Sequence, residues 1–450
     1  MKDLPTASVV SLGCAKNLVD SEVLLGILHE AGYPLVVDPD FAEIVVVNTC
    51  CFIESATQET IESIRQMESR RKDGSLSTLI VAGCLPERFR NRNLTHRFPW
   101  ADAFLGPGDI PQLASIVQRC LRQERVLEVS PHPTWLYDHT SPRVRLTPDH
   151  TAYVKIAEGC SHACTFCLIP RLRGRYRSRR MASILKEVLT LAGEGTLKEV
   201  NLVAQDTTAY GTDLYGRPRL ASLIERLGRE HPVPWIRLLY SYPRGFSREL
   251  IDRMASTPSI CKYVDLPLQH CNDHILRRMR RGVTRQTTLR LIDRLRSHIP
   301  NLTLRTTLMV GFPGETEEHF EELLEFVDQV RFERLGAFAF SAEDGVTASR
   351  CRDHVPEDVK QERLEALLGL QRSISLERNR ARVGEVLEAL VDGFDEDDPS
   401  MLLARTEGDA PDVDGTVIIP GGTAEPGDFV RVRVTEATEY DLVAEPVAEA

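Results

Sequence analysis

Nine short runs of aliphatic and β-branched residues punctuate the chain up to Ala342, and helix-length patterns separate them. This alternation constrains the fold more than any other feature. Continuous apolar runs between helices read as strands of a parallel sheet buried on both faces. The first three runs are SVVSLGC, EIVVVNTC and TLIVAGC. DSEVLLGILHEAGY reads as an amphipathic helix after the first, and SATQETIESIRQMESRR as a helix after the second. They predict an α/β domain over residues 1–130 with a parallel sheet covered on both faces. Residues 131–148, rich in Pro, His and Thr, read as a linker. Six more runs follow: AYVKIAEG, EVNLVAQD, WIRLLYSY, KYVDLPLQH, LTLRTTLMVGF and RLGAFAFSA. Six βα units in succession predict a partial (β/α)6, TIM-like barrel over residues 149–378. From 379 to 450 the segments are short, alternating and divided by Gly, Pro and Asp, which predicts a small all-β barrel.

Each of the first three strands ends in a cysteine: Cys14, Cys50 and Cys84. Ligand sites in open parallel sheets lie at the carboxyl ends of strands, so three strands would deliver three thiols to one edge. Cys51 is a rival for Cys50. Neighbours in an extended segment point opposite ways, so one of the two faces the site. A second trio stands in EGCSHACTFC, after the first barrel strand: Cys160, Cys164 and Cys167. A structural zinc site needs a fourth ligand, and an iron–sulfur cluster takes one thiolate per iron. No C-x2-C partner follows nearby, so one position of a four-iron cluster would stay open. Eleven cysteines without a secretion signal exclude a disulfide framework and point to metal binding or catalysis. With no apolar run long enough to span a membrane, a cytoplasmic protein is expected.

C-x3-C-x2-C after strand one of a βα barrel resembles the radical S-adenosylmethionine (SAM) enzymes. The resemblance implies a 4Fe–4S cluster on Cys160, Cys164 and Cys167 whose fourth iron binds SAM. The whole chain, with its N-terminal cysteines and its C-terminal module similar to a TRAM domain, resembles the methylthiotransferases. That implies a second 4Fe–4S cluster on Cys14, Cys50 and Cys84. It also implies SAM-binding positions at Phe166, Gln205, Gln269 and Gly314. Catalytic side chains beyond these are not assigned. SLGCAKNLVDSE, VAQDTTAYGTDLYG, DLPLQHCND and DAPDVDG are similar to the branch that modifies the β-carbon of an aspartate in small-subunit ribosomal protein twelve. IPRLRGRYRSR after Cys167 also looks like the family's signature. The implied partners are that basic protein, free or on the ribosome, a reductant and a sulfur donor.

Charge favours the same branch over the one that modifies an adenosine in tRNA. Net charge is −11, and it comes from residues 381–450, which carry about −14 against about +3 for the first 380. A module of that sign repels a phosphate backbone and attracts a basic protein. An iron–sulfur electron-transfer or sensing protein is the reading from another class, marked by failure to cleave SAM. The barrel-mouth residues Gln205, Asp206, Gln269 and His270 are further SAM or substrate candidates. So is GFPGET, which also reads as a turn and a helix N-cap at Glu315 or Thr316. The six arginines between Arg171 and Arg180 read equally as a contact surface or as a solvated loop. Of the other cysteines, Cys271 is the one expected nearest the active face.

Overall fold

The computed structural model describes residues 4–90, 92–193, 195–230 and 233–447. Strands β1 (Ala7–Ser11), β2 (Ile44–Thr49), β3 (Thr78–Gly83), β4 (Ala103–Leu105) and β5 (Val126–Glu128) form one parallel sheet in that order. β4 and β5, three residues each, are too short to stand out as hydrophobic runs. Along β2 the side chains alternate. Ile44 and Val46 pack with Leu24 and Leu28 of α1 (Ala15–Glu30), while Val45 and Val47 pack with Ile61 and Ile64 of α2 (Glu54–Asp73). Both faces are covered, as the apolar runs predict.

Helix α1 is not the amphipathic helix expected. Lys16, Asn17, Asp20, Ser21 and Glu22 are buried together with Val19, Val23 and Leu24. One flank packs on the sheet and the other on strand β6 (Thr151–Lys155) of the second domain. Lys155 pairs with Asp20, and Arg143 with Glu22 at 2.5 Å. The polar flank of α1 is thus satisfied by protein rather than by water. The segment 131–148 has no regular secondary structure, yet it is packed in place. Tyr137 is buried, and Arg143 also reaches Glu187 at 2.7 Å and the Tyr153 carbonyl. Gly26 of α1 lies against this strap; a Cβ there would stand 2.3 Å from the Pro142 carbonyl carbon.

After β6, a short antiparallel pair joins β7 (Ala157–Glu158) to β8 (Arg177–Ser178). Strands β9 (Glu199–Val203) and β10 (Trp235–Leu238) extend the sheet from β6, all parallel. Strands β11 (Tyr263–Asp265), β12 (Thr303–Val310) and β13 (Arg334–Ala339) form a second parallel set. A single bridge, Ile236 to Ile260, links the two halves into the partial barrel predicted. Ala152, Val154, Val200 and Leu202 pack outward on helix residues such as Ile184 and Leu223. The alternate residues Tyr153, Val203 and Tyr263 join the core built around α1. The N-terminal domain therefore closes the inner side of the open barrel.

The last five strands are β14 (Val386–Phe394), β15 (Met401–Arg405), β16 (Val417–Pro420), β17 (Phe429–Ala437) and β18 (Leu442–Pro446). They form a closed barrel in the order β14-β15-β16-β18-β17. This module docks where the large barrel's strands begin. Arg405 bonds Glu199 at 2.8 Å, Asp414 accepts from the Tyr263 hydroxyl at 2.6 Å, and Arg334 bonds Asp409 at 2.6 Å. The cysteine loop lies at the other end, so this placement gives the module's acidity no direct line into the mouth. In the exposed DEDDPS turn, Asp395 accepts from the N–H groups of Asp397 and Asp398, and Asp398 accepts from Ser400. Those carboxylates build the turn. Among the described residues no helix is long and apolar enough to cross a membrane.

Candidate active site

The loop after β7 carries the first trio. Cys160 is buried, and Cys164 and Cys167 are half-buried. Each sulfur has one donor. The His162 N–H donates to Cys160 Sγ at 3.4 Å, the Ile169 N–H to Cys167 Sγ at 3.4 Å, and Arg281 Nη1 lies 3.7 Å from Cys164 Sγ. Burial pushes the free Cys160 thiol up to about 11 and Cys167 up to about 12, in spite of these N–H bonds. A positive centre would be needed to hold all three as thiolates. His162, inside the same run, is not part of the set. Its Nε2 lies 2.7 Å from Asp206 and its ring stacks on Tyr242 at 3.8 Å. The Arg281 guanidinium lies over the Tyr242 ring as well.

The second trio comes from the N-terminal sheet. Cys50 follows β2 directly, Cys84 follows β3 and opens helix α3 (Cys84–Phe89), and Cys14 stands three residues beyond β1 as the N-cap of α1. Gly13 has φ 91°, and a Cβ there would stand 2.9 Å from Cys50 Sγ. Only glycine lets the chain before Cys14 approach Cys50 this closely. Cys14 is exposed. Burial would raise its thiol, but the Lys16 ammonium, the Asn17 N–H and the Arg173 guanidinium hold it below the ordinary value. Burial, then Cys84 close by, pushes Cys50 up to about 11. Cys51 is fully buried in the apolar cluster with Ile61 and Leu85, and its thiol is strongly raised by that burial. Among the described residues no three His, Cys, Asp or Glu side chains close on one metal ion. An iron–sulfur cluster asks for a wider spread, one thiolate per iron.

Arg173, on the stretch that follows the first trio, reaches the second. It lies just beyond Cys167, and its Nε donates to Cys84 Sγ at 3.3 Å. It also pairs with Asp20 and donates to Asn17 Oδ1 at 2.9 Å. Arg179 is buried against Glu187 and Tyr137. The arginine run is therefore partly internal scaffolding rather than one contact surface. Glu158 bonds Lys155 and accepts from Gln205 Nε2 at 2.6 Å. The carbonyl oxygens of Gln205 and Gln269 are buried without partners, and Gln269 is held at φ 74° after β11. Phe166 packs with Met309, Phe312 and Phe340.

Other candidates fall elsewhere. Gly314 (φ 82°) lines a cavity of about 550 Å³ with Arg278, His319 and Asp353, and the Arg278 carbonyl accepts from Thr165 of the cysteine loop at 2.9 Å. His270 faces Glu315 at 3.4 Å, and Glu315 bonds Arg363 at 2.9 Å, so that pair is internal structure. Thr316 is the N-cap of the helix Glu317–Val330, as GFPGET suggested. Cys271 points at the Glu322 carbonyl in the barrel core rather than into the mouth. The pattern reading missed Lys16, and it read Arg173 and Arg281 only as members of basic runs, without their contacts to Cys84 and Cys164. Their placement depends on contacts more than 80 residues apart, and no local spacing marks them.

Three families match the chain: Radical SAM superfamily over residues 154–327, Uncharacterized protein family UPF0004 over 6–106, and TRAM domain over 383–447. The solved structure of the radical SAM methyltransferase TsrM from Kitasatospora setae is similar at TM-score 0.53 and 17% identity, covering 74% of this chain and 72% of that one. The cobalamin-dependent radical enzyme OxsB is similar at TM-score 0.50 and 12% identity, covering 82% of this chain and 56% of that one. At such identities they show a shared fold. Proteins named "Ribosomal protein uS12 methylthiotransferase RimO" are far more similar. The one from Citrifermentans bemidjiense is 45% identical over 98% of both chains. That from Heliobacterium modesticaldum is 46% identical over 98% of this chain and 95% of its own. That from Anaeromyxobacter sp. (strain K) is 47% identical over 97% and 92%. With identity of this order along nearly its whole length, the chain belongs to the RimO family of methylthiotransferases.

Proposed function

We propose that this protein inserts sulfur into, and methylates, the unactivated β-carbon of an aspartate in ribosomal protein uS12, giving 3-methylthioaspartate. One observation carries the reading: two domains each present three cysteines, and Arg173, on the stretch that follows Cys167, donates to Cys84 of the other set. We assign Cys160, Cys164 and Cys167 to one 4Fe–4S cluster and Cys14, Cys50 and Cys84 to another, each with one iron free of protein ligands. When bound, the first with SAM supplies one-electron sulfonium cleavage, which allows hydrogen to be removed from an unactivated carbon.

The chain's own residues hold and shield that chemistry. Arg281 and the two backbone N–H groups offset charge on the first trio. Arg173 and Lys16 do so on the second. The orphaned oxygens of Gln205 and Gln269 offer acceptors to the amino and hydroxyl groups of SAM, and Phe166 provides an apolar wall. We also assign Gly314, at φ 82° in the turn before the helix Glu317–Val330, to the SAM site. The reading divides the chain at residues 130, 148 and 378, places it in the cytoplasm, and requires a reductant and a sulfur donor. Anaerobic reconstitution should load about eight irons. Replacing Cys160, Cys164 and Cys167 by Ala should leave about four and abolish SAM cleavage. Replacing Cys14, Cys50 and Cys84 should also leave about four, keep SAM cleavage, and lose methylthio transfer to uS12. Modification of tRNA in place of uS12, or no SAM cleavage by the loaded wild type, would overturn the reading.

A further inference from the structure

Around the two trios, most of the buried cations come with carboxylates; Arg281 instead has Cys164 Sγ, the Pro267 carbonyl and the Tyr242 ring. Lys155 has Asp20 and Glu158, Arg173 has Asp20, Arg143 has Glu22 and Glu187, and Arg179 has Glu187. Deeper in the barrel, Arg237 has Glu199 and Arg305 has Asp265 and Asp414. Lys16 differs. It is 8% exposed, and among the described residues no carboxylate lies within 4 Å of its ammonium. Its contact is the face of the Tyr240 ring, with Nζ 3.0 Å from the ring centre. Its charged or titratable neighbours are Cys14, Tyr240 and Asp265. Asp265 is already engaged by Arg305 at 3.1 Å and by the Tyr240 N–H at 2.8 Å. An aromatic face offsets part of a cation's charge. A nearly buried ammonium with no carboxylate in contact, and only the Cys14 thiol to share its charge, calls for an explanation.

Its position supplies one. Lys16 is two residues past Cys14, in the first turn of α1, where the N-terminal sheet meets the carboxyl end of β10. Tyr240, just past β10, is fixed there in the left-handed region (φ 61°) and holds its ring under the ammonium. The ammonium therefore belongs to the wall shared by the two domains, next to the Cys14 sulfur.

We propose that Lys16 binds the side-chain carboxylate of the substrate aspartate. This rests on the uS12 reading above. The carbon to be modified is bonded directly to that carboxylate, so a cation beside the thiol trio meets it when the carbon approaches. Lys16 would then select aspartate over its neutral isostere and set which face of the β-carbon is presented. Tyr240 acts as a positioning residue, holding Lys16 against the barrel.

The test uses the reconstituted full chain with uS12 carrying either Asp or Asn at the modified position. Binding affinity is measured for each, with iron content and uncoupled SAM cleavage as controls. Wild type should bind the Asp form roughly tenfold to a hundredfold more tightly, the range of a charge-assisted hydrogen bond. Lys16→Met should keep SAM cleavage, which belongs to the other trio, and in its fully iron-loaded fraction bring the two affinities within about twofold of each other. Lys16→Arg should retain most of the preference. A Lys16→Met protein that still prefers Asp as wild type does overturns the assignment. So does one that loses iron while its loaded fraction keeps the preference, since Lys16 would then serve the cysteines alone. If wild type modifies neither form, the uS12 reading itself fails, and the carboxylate with it.

Discussion

Removing the charge of Asp20 should loosen the joint between the two domains and the thiol trio together. Asp20 is almost wholly buried between Lys155 and Arg173, and Glu158 completes a balanced set of two cations and two anions. At an effective dielectric of about 20, each close pair is worth roughly 4 kcal/mol. Asp20→Asn keeps the shape but leaves one cation in excess in a site sealed from water. Removing one partner of a buried pair costs about 3–5 kcal/mol. The second substitution Lys155→Met rebalances the set, and buried pairs replaced by apolar groups of similar size are often neutral or better. The double variant should therefore regain at least about 2 kcal/mol of the loss. Urea unfolding followed by tryptophan emission reads this, because Trp135 lies in the strap and Trp235 in the barrel. A matching iron assay should show Asp20→Asn retaining less N-terminal iron than wild type, since Arg173 reaches Cys84 from its Asp20 anchor. A double variant less stable than Asp20→Asn alone would refute the charge-balance reasoning.

Gly26→Ala should destabilise by about 1–3 kcal/mol through the strap clash, against roughly 1 kcal/mol of better helix propensity, and a thermal melt reads the sign. Cys50→Ala should lose the N-terminal iron, whereas Cys51→Ala should keep it and lower stability by about 1 kcal/mol, as judged by iron analysis and urea midpoint. The C-terminal module should undock in acid. Burial opposes ionisation of Glu199, Asp392 and Asp409, but Arg405, Arg237, His150 and Arg334 hold all three carboxyls below their ordinary range. Their contribution is then complete above about pH 4 and fades as pH falls through the depressed values. Urea midpoints between pH 7 and pH 3 should drop at the acid end, and less steeply in Glu199→Gln/Arg405→Met.

Much of this protein is written in local pattern. The apolar runs at β2 and β3 fix a two-faced parallel sheet because alternate side chains must each find a core. C-x3-C-x2-C declares its chemistry because three thiols within eight residues reach one centre wherever the loop lies. Cys14 and Cys84 were legible for a related reason, since strand ends in a parallel sheet converge on one edge. Other features were decided only by tertiary contact. The polar residues of α1 look solvent-facing until β6 covers them with Lys155 and the loop beyond Cys167 brings Arg173. The arginine run looks like one surface until Arg173 and Arg179 turn inward to separate carboxylates. The acidic module looks like a lure at the mouth until Asp409 and Asp414 dock it at the opposite end. Lys16 is an ordinary helix lysine in the sequence. Burial beside Cys14 with Tyr240 beneath it makes it a cation in want of an anion, because charge in a desolvated site is defined by what surrounds it and not by its neighbours along the chain.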